Sequence, residues 1–176
     1  GKSTLYETQD SLKHTAWVNT DDIVRSFGNW TNISDVTKEG KIAVQRIRAS
    51  FEKGVSFGQE TTLCGRSILR NIEYAREIGY YIELHYVGVE SVQVAKERVA
   101  YRVAHGGHGI PDEDIERRYY ESFARLKQVL PLCDAAVLYD NTTSFQRFAI
   151  FQNGKLVKIN DYSIPEWYTK LFDYTE

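Results

Sequence analysis

Tyr80-Tyr81-Ile82-Glu83-Leu84-His85-Tyr86-Val87-Gly88-Val89 is a long run whose aromatic and β-branched content reads as a strand. A second such run, Ala135-Ala136-Val137-Leu138-Tyr139-Asp140, follows after two helical patterns at 91–105 and 112–130. Strands separated by helices of that length pair in parallel, because only a long crossover can return the chain to the same sheet end. Toward the N-terminus, Val55-Ser56-Phe57-Gly58-Gln59 and Thr15-Ala16-Trp17-Val18-Asn19 are further strand-like runs, with helical patterns at 35–53 and 66–78. The alternation predicts an α/β fold: a three-layer αβα sandwich with a mostly parallel sheet covered on both faces. Toward the C-terminus, Arg147–Gln152 and Lys155–Ile159 flank Asn153-Gly154, the strongest short hairpin signal. Residues 144–176 therefore read as a C-terminal hairpin and a short helix near Pro165–Phe172. No linker, repeat or low-complexity stretch interrupts 1–176, which predicts a single domain.

The composition excludes several function classes. The 176 residues carry 22 Lys+Arg against 24 Asp+Glu, a net charge of −2, which gives no bulk attraction to nucleic acid. No apolar run approaches the roughly 20 residues of a membrane span. Cys64 and Cys133 lack metal-ligand spacing and fit a reducing compartment, so a cytoplasmic location is expected.

The chain opens on Gly1-Lys2-Ser3-Thr4, the closing part of the P-loop motif G-x-x-x-x-G-K-[ST]. In such a loop backbone N–H groups and a helix N-terminus surround phosphate oxygens, Lys2 bridges the β- and γ-phosphates of ATP, and Ser3 ligates Mg²⁺. The expected fold is therefore that of a P-loop NTPase, with Leu5 and Leu12 on one side of the helix leaving the loop. Methionine is absent throughout. The expectation is that a strand and the first glycine of the loop precede Gly1, or that modified methionines are missing from the sequence as written; intact mass decides the first.

Asp21 ends the first strand-like run, where a carboxylate can orient and deprotonate an attacking hydroxyl; the same position also suits a helix cap, for which Asp22 is better placed. Glu60, Thr61 and Thr62 end the second run and lead into Gly65-Arg66-Ser67. A carboxylate, two hydroxyls and a guanidinium suit a polyhydroxylated or phosphorylated acceptor, and equally a capping cluster. In the helix at 91–105, Val92, Val99 and Val103 share a face while Arg98 and Arg102 share its flank. His105-Gly106-Gly107-His108-Gly109 follows as a mobile turn, with His105 and His108 expected to make turn-stabilising hydrogen bonds. In the next helix Ile115, Tyr119, Phe123, Leu126 and Leu130 form the buried stripe. Arg118 borders that stripe and Arg117 points away, so Arg118 is the expected functional arginine and Arg117 solvated surface. The two helices predict an arginine-bearing lid closing over ATP. Ion pairs to Glu97, Glu116 or Glu121 are the structural alternative.

The ordered set GKST, VNTDDI (18–23), QETTLCGRS (59–67), ERVAYRVAHGGHGIP (97–111), RRYYESF (117–123) and LYDNT (138–142) resembles the zeta toxin family of P-loop kinases, closest to its small stand-alone members. The resemblance covers residues 1 to about 142. It implies ATP- and Mg²⁺-dependent phosphorylation of a sugar-nucleotide hydroxyl, as in UDP-N-acetylglucosamine. Matched by motif, it implies Lys2 and Ser3 at the phosphates and Mg²⁺, with Gly1, Thr4 and Arg98 also toward the nucleotide. It implies Asp21 as catalytic aspartate, Glu60 with Thr61 or Thr62 and Arg66 at the acceptor, and Arg102 and Arg118 in the lid. The family's sugar-nucleotide toxins are larger, so ATP transfers to this chain more safely than the acceptor does. An antitoxin partner is implied for a toxin, and an ATP-binding regulatory module without acceptor chemistry is the alternative.

Overall fold

The computed structural model describes residues 5–6, 15–19, 33–107 and 109–172, with the side chains of 33–39 set aside. Gly1, Lys2, Ser3, Thr4, Asp21, Asp22 and His108 lie outside the described residues, as does Leu12. The chain divides into two compact units, Gly1–Thr61 and Thr62–Glu176.

In the first unit β1 (Ala16–Val18) pairs in parallel with β2 (Phe57–Gln59), joined through α1 (Ile33–Lys53). The helix buries Ala43 and Ile47, one turn apart, against Val18, with Phe51 and Phe57 packed beside them. Trp17 lies opposite Gly58 in register. A Cβ at Gly58 would fall 2.2 Å from the Trp17 ring, so the glycine makes room for the indole. Leu5 and Tyr6 are helical, Leu5 is buried, and Tyr6 stacks on Trp17 at 4.5 Å.

The second unit holds a sheet of order β3-β4-β5-β6, where β3 is Glu83–Gly88, β4 Ala135–Asp140, β5 Gln146–Gln152 and β6 Lys155–Ile159. β3 and β4 are parallel, and β5 and β6 continue antiparallel as the expected hairpin. Between β3 and β4 run α3 (Val92–Ala104) and α4 (Asp112–Val129); α2 (Arg66–Glu77) precedes β3 and α5 (Glu166–Phe172) ends the described chain. Leu84, Tyr86 and Gly88 of β3 face the same side as Ala136, Leu138 and Asp140 of β4. That side holds the core, with Leu126 and Val129 of α4, Ile68 of α2 and Trp167 of α5. Among the described residues the architecture is thus mixed α/β with parallel pairs, and no helix is long and apolar enough to cross a membrane.

Three local features refine the sequence reading. The strand read over Tyr80–Val89 begins only at Glu83, because Tyr80 N–H bonds back to Ala75 O at 2.9 Å and Gly79 N–H to Arg76 O at 3.1 Å. With Gly79 at φ +85° this is a Schellman close of α2, which consumes the first residues of the run. The turn read as mobile is the same device at the end of α3: Gly106 N–H bonds Val103 O, and Gly107 N–H bonds Arg102 O. Gly106 has φ +81°, and a Cβ on Gly107 would meet the Arg102 stem at 2.4 Å and its carbonyl at 2.9 Å. The apolar face expected on α3 is incomplete, since the helix fully buries no residue and Val103 is exposed.

Asn153 (φ +49°) and Gly154 (φ +72°) supply the pair of positive angles that a tight hairpin needs. A Cβ at Gly154 would also lie 2.8 Å from Pro131 Cα. Gly154→Ala therefore combines backbone strain with overpacking, and a loss of about 1–3 kcal/mol in urea unfolding is expected.

Candidate functional site

In the first unit the residues after β1 and β2 meet at the carboxyl end of the parallel pair, where open α/β sheets place ligands. Asn19 Nδ2 donates to Glu60 Oε2 at 3.1 Å, and Glu60 N–H donates to Val18 O at 3.0 Å. Glu60 is thereby tied to Asn19, the residue that follows β1. Asn19, quoted within the VNTDDI motif without a role of its own, is the residue that holds it.

In the second unit the loop before α2 is bound to α4. Cys64 Sγ donates to Thr62 O at 3.3 Å and to Arg118 O at 3.4 Å, and Gly65 N–H donates to Glu121 Oε1 at 2.6 Å. The loop is strained: Leu63 has φ +60° while its side chain is buried in the core, and Gly65 has φ +82°. These bonds place the start of α2, with Arg66, against the stretch of α4 that carries Arg117 and Arg118. The N-cap of α2 is Gly65, which has no side chain to cap with. Burial pushes the Cys64 thiol up from its ordinary value, which makes it a poor nucleophile at neutral pH.

The two adjoining arginines of α4 differ in their partners. Arg117 is exposed and paired, at 2.8 Å to Asp114 and 3.1 Å to Glu121. Arg118 is half-buried, and its guanidinium makes no ion pair or hydrogen bond with a described residue. Glu116 pairs instead with Lys96, which also reaches Asp112, both at 3.6 Å, and so links α3 to α4. Glu97 accepts from Gln93 at 2.9 Å. The acids that were the alternative partners for Arg118 are therefore engaged elsewhere. Arg66 is exposed and likewise without a partner among the described residues.

Arg98 differs from Arg118, because its Nη2 donates to Thr142 O at 3.1 Å. Thr142 belongs to a network beyond the β3 and β4 ends: its Oγ1 accepts from Glu90 N–H at 3.0 Å and donates to Asp140 Oδ1 at 2.7 Å. Asp140 also accepts from Thr142 N–H and from Trp167 Nε1 at 2.9 Å. Arg98 is thus an anchor of α3 to the LYDNT segment. Tyr119 OH adds a bond from α4 to Glu90 O at 2.8 Å, and burial pushes its phenol up to about 12. Arg102 sits in the Schellman close, where its carbonyl is the acceptor. His105 Nδ1 lies 2.8 Å from Tyr101 O and its ring stacks on Tyr101. Among the described residues no group of three or more His, Cys, Asp or Glu could hold a metal ion.

The hydrogen bond from Arg117 holds the Asp114 carboxyl below its ordinary value. A lowered folded pKa means the pair contributes fully above the ordinary carboxylate pKa and is lost as pH falls through the lowered value. Arg117→Ala should return Asp114 toward about 3.9, observable by NMR titration.

A protein of Haemophilus influenzae (strain ATCC 51907 / DSM 11121 / KW20 / Rd), described as an uncharacterized protein, is 30% identical over 121 residues, covering 68% of this chain and 84% of that one. The chain belongs to the same family as this Haemophilus protein. No protein-family model matches the chain, and no solved structure matches it. In this chain the geometry offers one guanidinium without a partner among the described residues and an exposed one beside a helix start, an arrangement suited to oxyanions.

Proposed function

We propose that the protein is an ATP- and Mg²⁺-dependent phosphotransferase of the zeta-toxin type, with a P-loop NTPase fold, acting on a hydroxyl of a small molecule such as a sugar nucleotide. The observation that carries this reading is the contrast at 117 and 118. A half-buried guanidinium with no partner among the described residues carries a desolvation cost that an exposed one avoids, and an anionic ligand repays it. Its neighbour, with two carboxylates, has no such need. The donor chemistry fits a triphosphate, since five N–H groups and a fixed charge match phosphoryl oxygens.

Bound Mg·ATP supplies the transferable γ-phosphoryl group. Lys2 and the backbone amides of Gly1–Thr4 would hold its phosphates, and Ser3 would supply a hydroxyl ligand to Mg²⁺. Asp21 orients the acceptor hydroxyl and takes its proton. The family resemblance assigns acceptor binding to Glu60 and Thr61 of the first unit, where Asn19 holds the Glu60 carboxylate, and to Thr62 and Arg66 of the second. Arg118 neutralises the charge on the transferring group, a role that the family resemblance also gives to Arg102. Arg98 acts as a positioning residue through Thr142.

Asp21→Asn tests the base. Phosphoryl transfer should fall by about 10²–10⁴-fold while ATP affinity stays near wild type. Full activity in this variant would remove Asp21 from the mechanism. An antitoxin partner belongs to the same proposal, and a co-purifying small protein that blocks turnover is its expected signature.

A further inference from the structure

β6 is a terminal strand of its sheet, and no described strand pairs with its outer side. Its exposure is unusual for a strand with an apolar centre: Leu156 is 44% and Val157 54% exposed, with Lys155 and Lys158 also exposed. The pairing with β5 is irregular between Ile150 and Phe151, which leaves Val157 outside the register. A sheet edge with free backbone groups and bare apolar side chains is a template for another strand.

Charge selects the occupant. From Gln146 to Ile159 the hairpin carries Arg147, Lys155 and Lys158 and no acidic residue, in a chain whose net charge is −2. None of the three cations pairs with a described residue. A second copy of β6 would bring lysine against lysine, so self-pairing is disfavoured. Beside the strand lies an open groove of about 340 Å³ in which Ile150 and Ile159 are flanked by Arg147 and Lys158, with the fully exposed Tyr162 and the single carboxylate of Asp161 at its margin.

The geometry points to the outer edge of β6 as a docking site for an extended, acidic segment of another protein, added as a fifth strand. Backbone groups of β6 pair with the segment, its apolar side chains cover Leu156 and Val157, and its carboxylates meet Lys155, Lys158 and Arg147. This inference is independent of phosphoryl transfer.

The test uses the full-length protein and a fluorescent synthetic peptide of alternating Glu and Val, followed by anisotropy at low and high salt. The acidic peptide should bind, and the double variant Lys155→Glu/Lys158→Glu should weaken it about tenfold. A peptide with Lys in place of Glu should not bind. Hydrogen exchange should slow at 155–159 on adding the acidic peptide. Charge reversal at two exposed positions leaves the fold intact, checked by circular dichroism. Absence of binding, binding indifferent to the charge reversal, or equal binding of a single-stranded oligonucleotide would each overturn the assignment.

Discussion

Arg118→Ala should lower turnover by about 10³–10⁵-fold, the range for a guanidinium that neutralises a transferring phosphoryl group. Arg117→Ala should leave turnover close to wild type. Both variants remove one positive charge from the same turn of α4, so the comparison cancels long-range electrostatics. What differs is the partner set: Arg117 answers Asp114 and Glu121, whereas Arg118 answers no described residue. Arg118→Lys should recover only part of the loss, because an ammonium keeps the charge and forfeits the planar fork. Steady-state kinetics read the effect, with the decline in kcat rather than KM. Equal losses at 117 and 118 would show that the lid contributes only general positive potential.

Trp167→Ala is expected to destabilise the second unit by about 3–5 kcal/mol, the range for deleting a buried aromatic side chain. The indole is 3% exposed and packs among Tyr86, Phe123 and Phe148, with ring centroids 5.8, 5.3 and 5.5 Å away. It also covers Gly88, where a Cβ would approach the ring within 2.4 Å. Its Nε1 donates to Asp140, so truncation loosens the carboxylate that holds Thr142, and through it Arg98. Two readouts are therefore expected together: a lower midpoint in urea, and faster amide exchange across α3. Trp167→Phe keeps most of the packing and loses the N–H, so it should affect α3 more than global stability. A Trp167→Ala protein as stable as wild type would show that α5 is not part of the core.

Much of the fold was legible because its signals are local. The aromatic and β-branched content of Ala135–Asp140 marks a strand that the structure reproduces residue for residue, and Asn153-Gly154 marks the hairpin through two positive φ angles. The misreadings were also local in origin. Tyr80 to Ile82 have strand-like side chains, but Gly79 closes α2 and takes Tyr80 into its cap. Gly106 and Gly107 look like a hinge and act as a helix stop, because composition alone does not separate the two uses of glycine.

The site was legible in its residue types and not in its pairings. The side of α4 on which Arg118 falls follows from 100° per residue. That Glu121 reaches the N–H of Gly65, 56 positions away, depends on how α4 lies against the loop before α2, and no periodicity carries that. The role of Arg98 was obscured for the same reason, since its acceptor, Thr142 O, lies 44 positions downstream. Asn19 could have been found by noticing a polar amide immediately after β1 and a carboxylate immediately after β2.

Phosphoryl transfer from ATP to a small-molecule hydroxyl is the proposed reaction. Full-length protein incubated with Mg²⁺, ATP labelled on its γ-phosphate, and a panel of sugar nucleotides, resolved by chromatography, tests it directly. Label is expected on an acceptor, lost in Lys2→Ala and Arg118→Ala and retained in Arg117→Ala. Label remaining on ATP, or released only as inorganic phosphate with every acceptor, would contradict it.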